Sequence, residues 1–319
     1  MMLAPSINPG EELDHYRIDG VIARSSVATL FRALDLRTDR QVAIKIPHSE
    51  LETDPTFADR FRREQEIGEQ LSHPGLIKAI SDPHHSRPYI VMEWFEGRPL
   101  SQVMAEEKIS PERAARIVIQ ICGALQYIHN HGIVHRDLAP AHILVGAQDH
   151  IKLIDFGAAG QAAGKRITFT SIAQLTGGSE YISPEELKGK RGDARSDIYA
   201  VGLILYEMVT GRKPFPGSDP LDRALNHPVP PREINPAISP QLQEVIYRAM
   251  ERDPRSRYAN AHDFARDLEH LDQVGVADRA ELRDWKKGRS MQSRNVILYV
   301  SLALMSILIF ALLFYFASR

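Results

Sequence analysis

The 319-residue chain carries 39 Lys and Arg against 41 Asp and Glu, a formal net charge of −2, with 43% hydrophobic and 25% charged residues. These globular averages exclude wholesale disorder and collagen-like repeats, supply a core for one large domain or two lobes, and give no global electrostatic case for nucleic-acid binding. The single Cys122 has no disulfide partner and no metal-ligand spacing around it, which suits a reducing compartment and a small buried apolar side chain.

In chain order, residues 1–15 read as an N-terminal tail, and MMLAPSINPGEELDHY has neither the basic nor the apolar stretch of a signal peptide. From Tyr16 to Glu96 the pattern is strand-rich: residues 16–18, 28–33 and 41–46 alternate, and 89–93 is a short apolar run. One helix is predicted among these strands, over 55–71. After Gly97 the pattern turns helical. Ser110 caps a helix with Pro111 at its first position, and Ile117, Ile121, Leu125 and Ile128 recur at helical spacing. A further helix over 197–210 is apolar nearly all round and closes at Gly211, as a buried central helix does. The proline-rich stretch 214–240 reads as an irregular connection. Strands followed by helices predict an α+β, two-lobed domain over 16–272, with lobes 16–96 and 97–272.

Residues 273–294 form a basic juxtamembrane linker in which Arg283, Lys286, Lys287, Arg289 and Arg294 outnumber Asp284. A transmembrane helix is predicted over 295–317, because Val296 to Ala317 holds no charge. About 22 residues at about 1.5 Å rise span about 33 Å, the thickness of a bilayer's hydrocarbon core. The basic flank places everything before residue 295 in the cytoplasm. Only Ser318 and Arg319 follow, so input is expected from the cytoplasm, from lipid, or from a membrane protein packing against the span, which also offers a surface for self-association.

Four motifs then appear in one order: Val42-Ala43-Ile44-Lys45, His135-Arg136-Asp137, Asp155-Phe156-Gly157 and Ser183-Pro184-Glu185. Through them the chain resembles the protein kinases, most closely the bacterial Ser/Thr kinases of eukaryotic type, from about Tyr16 to Leu271. The resemblance implies ATP and Mg²⁺ or Mn²⁺ as cofactors and a protein hydroxyl as acceptor. It implies that Lys45 holds the α- and β-phosphates and Glu64 orients it, Glu66 lying about 200° around the helix. It further implies that Asp137 accepts the hydroxyl proton and Asp155 ligates the metal. Ala23, Ser25 and Ala28 fall in the phosphate loop. Met92 falls at the back of the adenine pocket, Glu93 to Phe95 in the hinge, and Glu96 at the ribose. Glu185 with Arg257, and Asp197 at a helix start, take supporting roles.

Four departures qualify that pattern. The loop 23–28 has no glycine, and a left-handed residue there would cost on the order of 1 to 2 kcal/mol. A hairpin is still expected, with a weaker grip on phosphate. Ala139 stands where the family has a lysine cation, a loss worth roughly 10² to 10³ in rate. His142 stands where the family has an asparagine metal ligand, and imidazole suits Mn²⁺ better than Mg²⁺. Gly177-Gly178 replaces a Gly-Thr pair. Two readings follow: a weak or Mn²⁺-favouring Ser/Thr kinase, or a pseudokinase scaffold that binds nucleotide or a partner. On the first, a phosphate on Thr168, Thr170, Ser171 or Thr176 pairs with Arg136. His48, His84 and His85 do not form a metal site on either.

Overall fold

Alternation along successive strands builds the first lobe. In the computed structural model, residues 7–82, 84–156, 159–161, 180–215 and 227–279 are described. Strands β1 (Glu12–Leu13), β2 (Tyr16–Arg24), β3 (Ala28–Asp35) and β4 (Arg40–Pro47) precede helix α1 (Pro55–Gln70), and β5 (Ala79–Ile80) and β6 (Ile90–Glu93) follow it. They form one antiparallel sheet in the order β1-β2-β3-β4-β6-β5. Val42, Ile44 and Ile46 of β4 point into a core with Tyr16, Ile18, Phe31, Tyr89 and Val91. With a period of two, Ala43 and Lys45 must face the other way.

The sheet begins earlier than the pattern suggested. Leu13 pairs with Tyr16, and the Gly10 amide donates to the Ile18 carbonyl at 2.8 Å, so residues expected in the tail extend the lobe. A strand of two residues is too short to show alternation.

The second lobe packs around two helices. After β7 (Gly97–Pro99) and α2 (Leu100–Glu106), α3 (Pro111–Asn130) starts as predicted, with Ser110 Oγ accepting the Arg113 amide at 3.2 Å. Strands β8 (Ile133–Val134), β9 (Ile143–Gly146), β10 (Ile151–Leu153) and β11 (Gly160–Gln161) pair as β10-β9-β7 and β11-β8. Helix α4 (Pro184–Leu187) leads to α5 (Ala194–Thr210), which is buried along nearly its whole length and ends at Gly211 in the left-handed region, φ 67°. It begins three residues before the predicted start at 197. Asp193 and Ser196 form a capping box, so Asp197 lies inside the first turn, and the polar Arg195 and Ser196 before it are what the apolar pattern passed over. Helices α6 (Pro231–Ile234), α7 (Pro240–Ala249) and α8 (Ala261–Glu269) complete the lobe. The stretch read as irregular therefore holds one turn of helix, started by Pro231 at its first position.

Among the described residues no helix is long and apolar enough to cross a membrane. The 295–317 span, the linker from 280 onward, Gly157, the four candidate phosphate acceptors and Gly177-Gly178 all lie outside them.

Candidate active site

The cleft between the lobes collects residues from strands, a helix and loops of both lobes. Lys45 lies on the outward face of β4, and Glu64 is on the face of α1 that packs against the sheet, 8% exposed, whereas Glu66 is exposed. The Lys45 ammonium donates to Glu64 Oε1 at 2.6 Å and to Asp155 Oδ1 at 3.3 Å. Burial opposes the ammonium's charge, but Asp155 and Glu64 together hold its pKa above the ordinary lysine value. Burial pushes Glu64 up, and Lys45 counters it. Asp155 has φ 67°, and the following Phe156 is buried against the His135 ring, centroids 5.4 Å apart. The turn and the anchored ring aim the carboxylate back across the cleft.

The catalytic-loop segment is held from below by Asp197. Its carboxylate accepts the His135 and Arg136 amides, both at 2.9 Å, and His129 Nε2 lies 2.7 Å away. Burial alone would push this carboxyl up; the bonds from His129 and the backbone hold it below the usual carboxylate range. Asp137 faces the cleft, and burial pushes its carboxyl up, against the pull of His142.

His142 lies on a short 3₁₀ turn, Pro140–His142, between the two aspartates. Its Nδ1 is 2.6 Å from the Asp137 carbonyl oxygen. A carbonyl only accepts, so Nδ1 carries the proton and, in the neutral ring, Nε2 presents a lone pair. That atom is 3.9 Å from Asp155 Oδ2. The donor set fits a divalent cation: one carboxylate and one imidazole nitrogen converge, the nitrogen fixed by a bond on the ring's far side. No cluster of three His, Cys, Asp or Glu residues with metal-holding geometry occurs among the described residues, so a cation here would take its remaining ligands from phosphate oxygens and water. His48 and His84-His85 do not meet: His48 lies 3.4 Å from Thr29 Oγ1 and His85 stacks on Tyr89.

The glycine-free loop closes without strain. No residue from 23 to 28 has a positive φ. Instead, Ser25 Oγ accepts the Val27 and Ala28 amides at 3.3 and 3.1 Å and donates to the Ala28 carbonyl at 3.0 Å, and Ser25 N donates to the same carbonyl at 2.9 Å. The hairpin is a serine-pinned turn, with Ala23 and Ser25 exposed and Ala28 buried.

At the hinge, Met92 and Phe95 are half-buried and Glu96 is exposed at the lip. Phe95 lies where a Cβ on Gly97 or Gly146 would stand, so both glycines are needed for its close seating. The Glu93 side chain turns away from the cleft, accepting from Lys152 at 2.6 Å and from the Lys78 amide at 3.0 Å. Its contribution to the cleft is therefore backbone. Leu30 pairs with Lys45 across β3 and β4, Ala43 pairs with Met92, and Leu144 and Ile154 alternate with buried neighbours; all four are half-buried apolar residues to which motif reading gave no place in the cleft, Ala43 included though it lies inside a motif. Strand register identifies them, and no single-residue signal does. Below His142, a groove of about 940 Å³ runs past Ala139, Ala141, Tyr181 and Glu207.

Two lobes, a Lys–Glu pair bridging a strand and a helix of the first, and two aspartates presented from the second define a phosphotransfer fold of the protein kinase class. A family model described as "Protein kinase domain" matches residues 16–268. The chain belongs to this family, and the relatives it is similar to include bacterial Ser/Thr protein kinases. It is 36% identical over 266 residues to the serine/threonine-protein kinase PknB of Mycolicibacterium smegmatis, covering 80% of this chain and 42% of that one. To PknB of Mycobacterium tuberculosis it is 35% identical over 271 residues, covering 82% and 43%. The chain thus spans less than half the length of these relatives. The PknI kinase domain of Mycobacterium tuberculosis shares the fold, with TM-score 0.66, 23% identity, and 84% and 100% coverage. Membership implies a nucleoside triphosphate and a divalent cation as the reaction's companions.

Proposed function

We propose that the chain is an ATP-dependent Ser/Thr protein kinase, weak or Mn²⁺-favouring, held at the cytoplasmic face of a membrane by its C-terminal span. The observation that carries the kinase reading is the assembled Lys45–Glu64–Asp155 chain of contacts opposite Asp137. These groups meet from strand, helix and loop, and a scaffold with no transfer chemistry has no need of that alignment.

Lys45, fixed by Glu64, offers one ammonium to the α- and β-phosphates of ATP. Asp137, beside the cleft, receives the acceptor hydroxyl's proton, and its raised pKa favours taking that proton late in the transfer. Asp155 and His142 would hold the divalent cation, which neutralises triphosphate charge when bound; an imidazole in place of an oxygen favours Mn²⁺ over Mg²⁺. The apolar residues Leu30, Ala43, Met92, Leu144 and Ile154 provide two walls for a flat base, with hinge backbone at its edge. The groove beside Ala139 and Tyr181 has the size for a protein segment rather than a small acceptor.

The test is transfer of labelled γ-phosphate by the full chain in detergent micelles, with Mg²⁺ or Mn²⁺, beside Asp137→Ala and Asp155→Ala. Label above both controls, larger with Mn²⁺, is expected. Label equal to the controls under both metals would leave the pseudokinase reading, which a Lys45-dependent thermal shift with ATP then examines. Membrane anchoring is checked separately: truncation after residue 294 should move the protein from the membrane to the soluble fraction.

A further inference from the structure

Beneath the catalytic loop two buried groups of opposite charge each leave one polar atom without a hydrogen-bond partner. Arg136 is 8% exposed; its Nε donates to the Gly192 carbonyl at 3.3 Å, and its Nη2 is buried with no hydrogen-bond partner. Glu186, also 8% exposed, accepts the Ser183 amide and hydroxyl through Oε2 at 3.2 and 2.7 Å, and its Oε1 is likewise buried and unpartnered. Both side chains line one small cavity of about 10 Å³, together with Tyr181, Ser196 and Asp197. A space of roughly 10 to 15 Å³ with two to four polar partners is the size and chemistry of a single water site.

A buried polar atom left unpaired is costly, more so on a charged group, so a native fold that keeps both has them compensate each other across the space between them. The region is also closed around Glu186 by Gly192, where an added Cβ would collide with Glu186 Oε1 and approach Ser196 Oγ at 3.0 Å. Arg136 is the residue before Asp137, and its amide and that of His135 are the two bonded by Asp197. Whatever fixes the guanidinium therefore fixes the loop that carries Asp137.

We propose that Glu186 is a positioning residue: across a one-water site it compensates the Arg136 guanidinium and so holds the catalytic loop in place from inside the chain, without an added phosphate. The groups facing Glu186 are Arg136, Asp197, Glu185 and Ser183. Burial pushes the Glu186 carboxyl up to about 7, with Asp197 and Glu185 acting in the same direction, so the charge is present at pH 8. Its catalytic meaning rests on the kinase reading, whereas the loop restraint itself is measured without turnover.

The experiment is hydrogen exchange at pH 8 on the full chain in detergent micelles, treated with phosphatase, comparing Glu186→Gln with Ser183→Ala. Glu186→Gln keeps the volume and an oxygen for Ser183 but loses the charge. Ser183→Ala removes the helix cap and leaves the charge. The expected result is exchange about tenfold faster over residues 135–142 in Glu186→Gln alone, with no further gain when it is added to Arg136→Gln. Where transfer is measurable, kcat should fall with the KM for ATP unchanged. Equal exchange in Glu186→Gln and the parent, equal acceleration in Ser183→Ala, or additivity with Arg136→Gln would each overturn the proposal. Absence of transfer in every sample, with the exchange pattern intact, would count against the kinase reading and not against this one.

Discussion

Among single residues, His142 and Ala139 set how far this site departs from its family's chemistry. His142 reproduces one half of an asparagine's work: Nδ1 bonds the Asp137 carbonyl, and Nε2 faces Asp155. The other half, the hard oxygen, is gone. His142→Asn should therefore raise the ratio of Mg²⁺- to Mn²⁺-supported kcat by about tenfold, read in parallel metal titrations. Ala139 borders the groove beside His142, so a longer side chain has room there. Ala139→Lys restores a cation near the transferred group and should raise kcat by about 10 to 10²-fold, below the full cost of losing such a donor because the surrounding loop is not tuned to it. A rate unchanged in Ala139→Lys would show that the missing cation does not limit transfer. The roles of Lys45 and Glu64 were implied by the family resemblance, through the Val42-Ala43-Ile44-Lys45 motif and the place of Glu64 on the helix that follows. The tautomer of His142 was not, because it depends on a carbonyl five residues away whose direction only the folded turn fixes.

Among the elements, the β2–β3 hairpin shows a sequence expectation met by a different device. Glycines were missing, so weak phosphate contact was expected from strain; the turn instead avoids positive φ and uses Ser25 Oγ to bind the Val27 and Ala28 amides. Those amides are then engaged within the turn. Ser25→Gly should release them and lower the KM for ATP several-fold, measured at saturating metal, since freed loop amides are what cradle phosphate in this kind of turn. Helix α5 illustrates the opposite case. Its apolar surface was evident, and its burial follows from that; its tolerance to change does not. A Cβ on Gly202 would stand 2.8 Å from Ala249 Cβ on α7, so the two helices meet through this glycine. Gly202→Ala should cost about 1 to 3 kcal/mol by overpacking, despite the better helix propensity of alanine, read as a lower urea midpoint.

At the scale of the whole molecule, the large lobe is tied together by Glu185 and Arg257, 72 positions apart, in a two-pronged ion pair with both N–O distances 2.7 Å. Arg257 also donates to the Glu251, Arg195 and Arg252 carbonyls, so its head is fully engaged. Arg257→Met should destabilise the domain by about 3 to 5 kcal/mol, because it strands a partly buried carboxylate. The pH dependence has a definite sign. Against burial, which pushes it up, Arg257 holds Glu185 below the ordinary glutamate value. A depressed folded-state pKa contributes stability that is complete above the unfolded value, near 4.5, and is lost as pH falls through the lower folded value. Thermal melts between pH 6 and pH 3 should thus show a steeper loss in the parent than in Arg257→Met.

The sequence by itself determined the α+β order and the strand and helix faces, because these are written in periodicity, and the family, because four short motifs occur in one order along the chain. It also supplied the expectation of an anchored C-terminus, from 22 consecutive uncharged positions. Only the tertiary structure decided what meets across the cleft. The Lys45–Asp155 contact joins positions 110 apart, the Leu30 and Ala43 walls depend on register between strands, and Arg136 and Glu186 share a cavity that neither side chain predicts alone. The physical reason is common to all three. Local pattern fixes which face of an element is apolar, but the satisfaction of a buried charge is a property of every element packed around it.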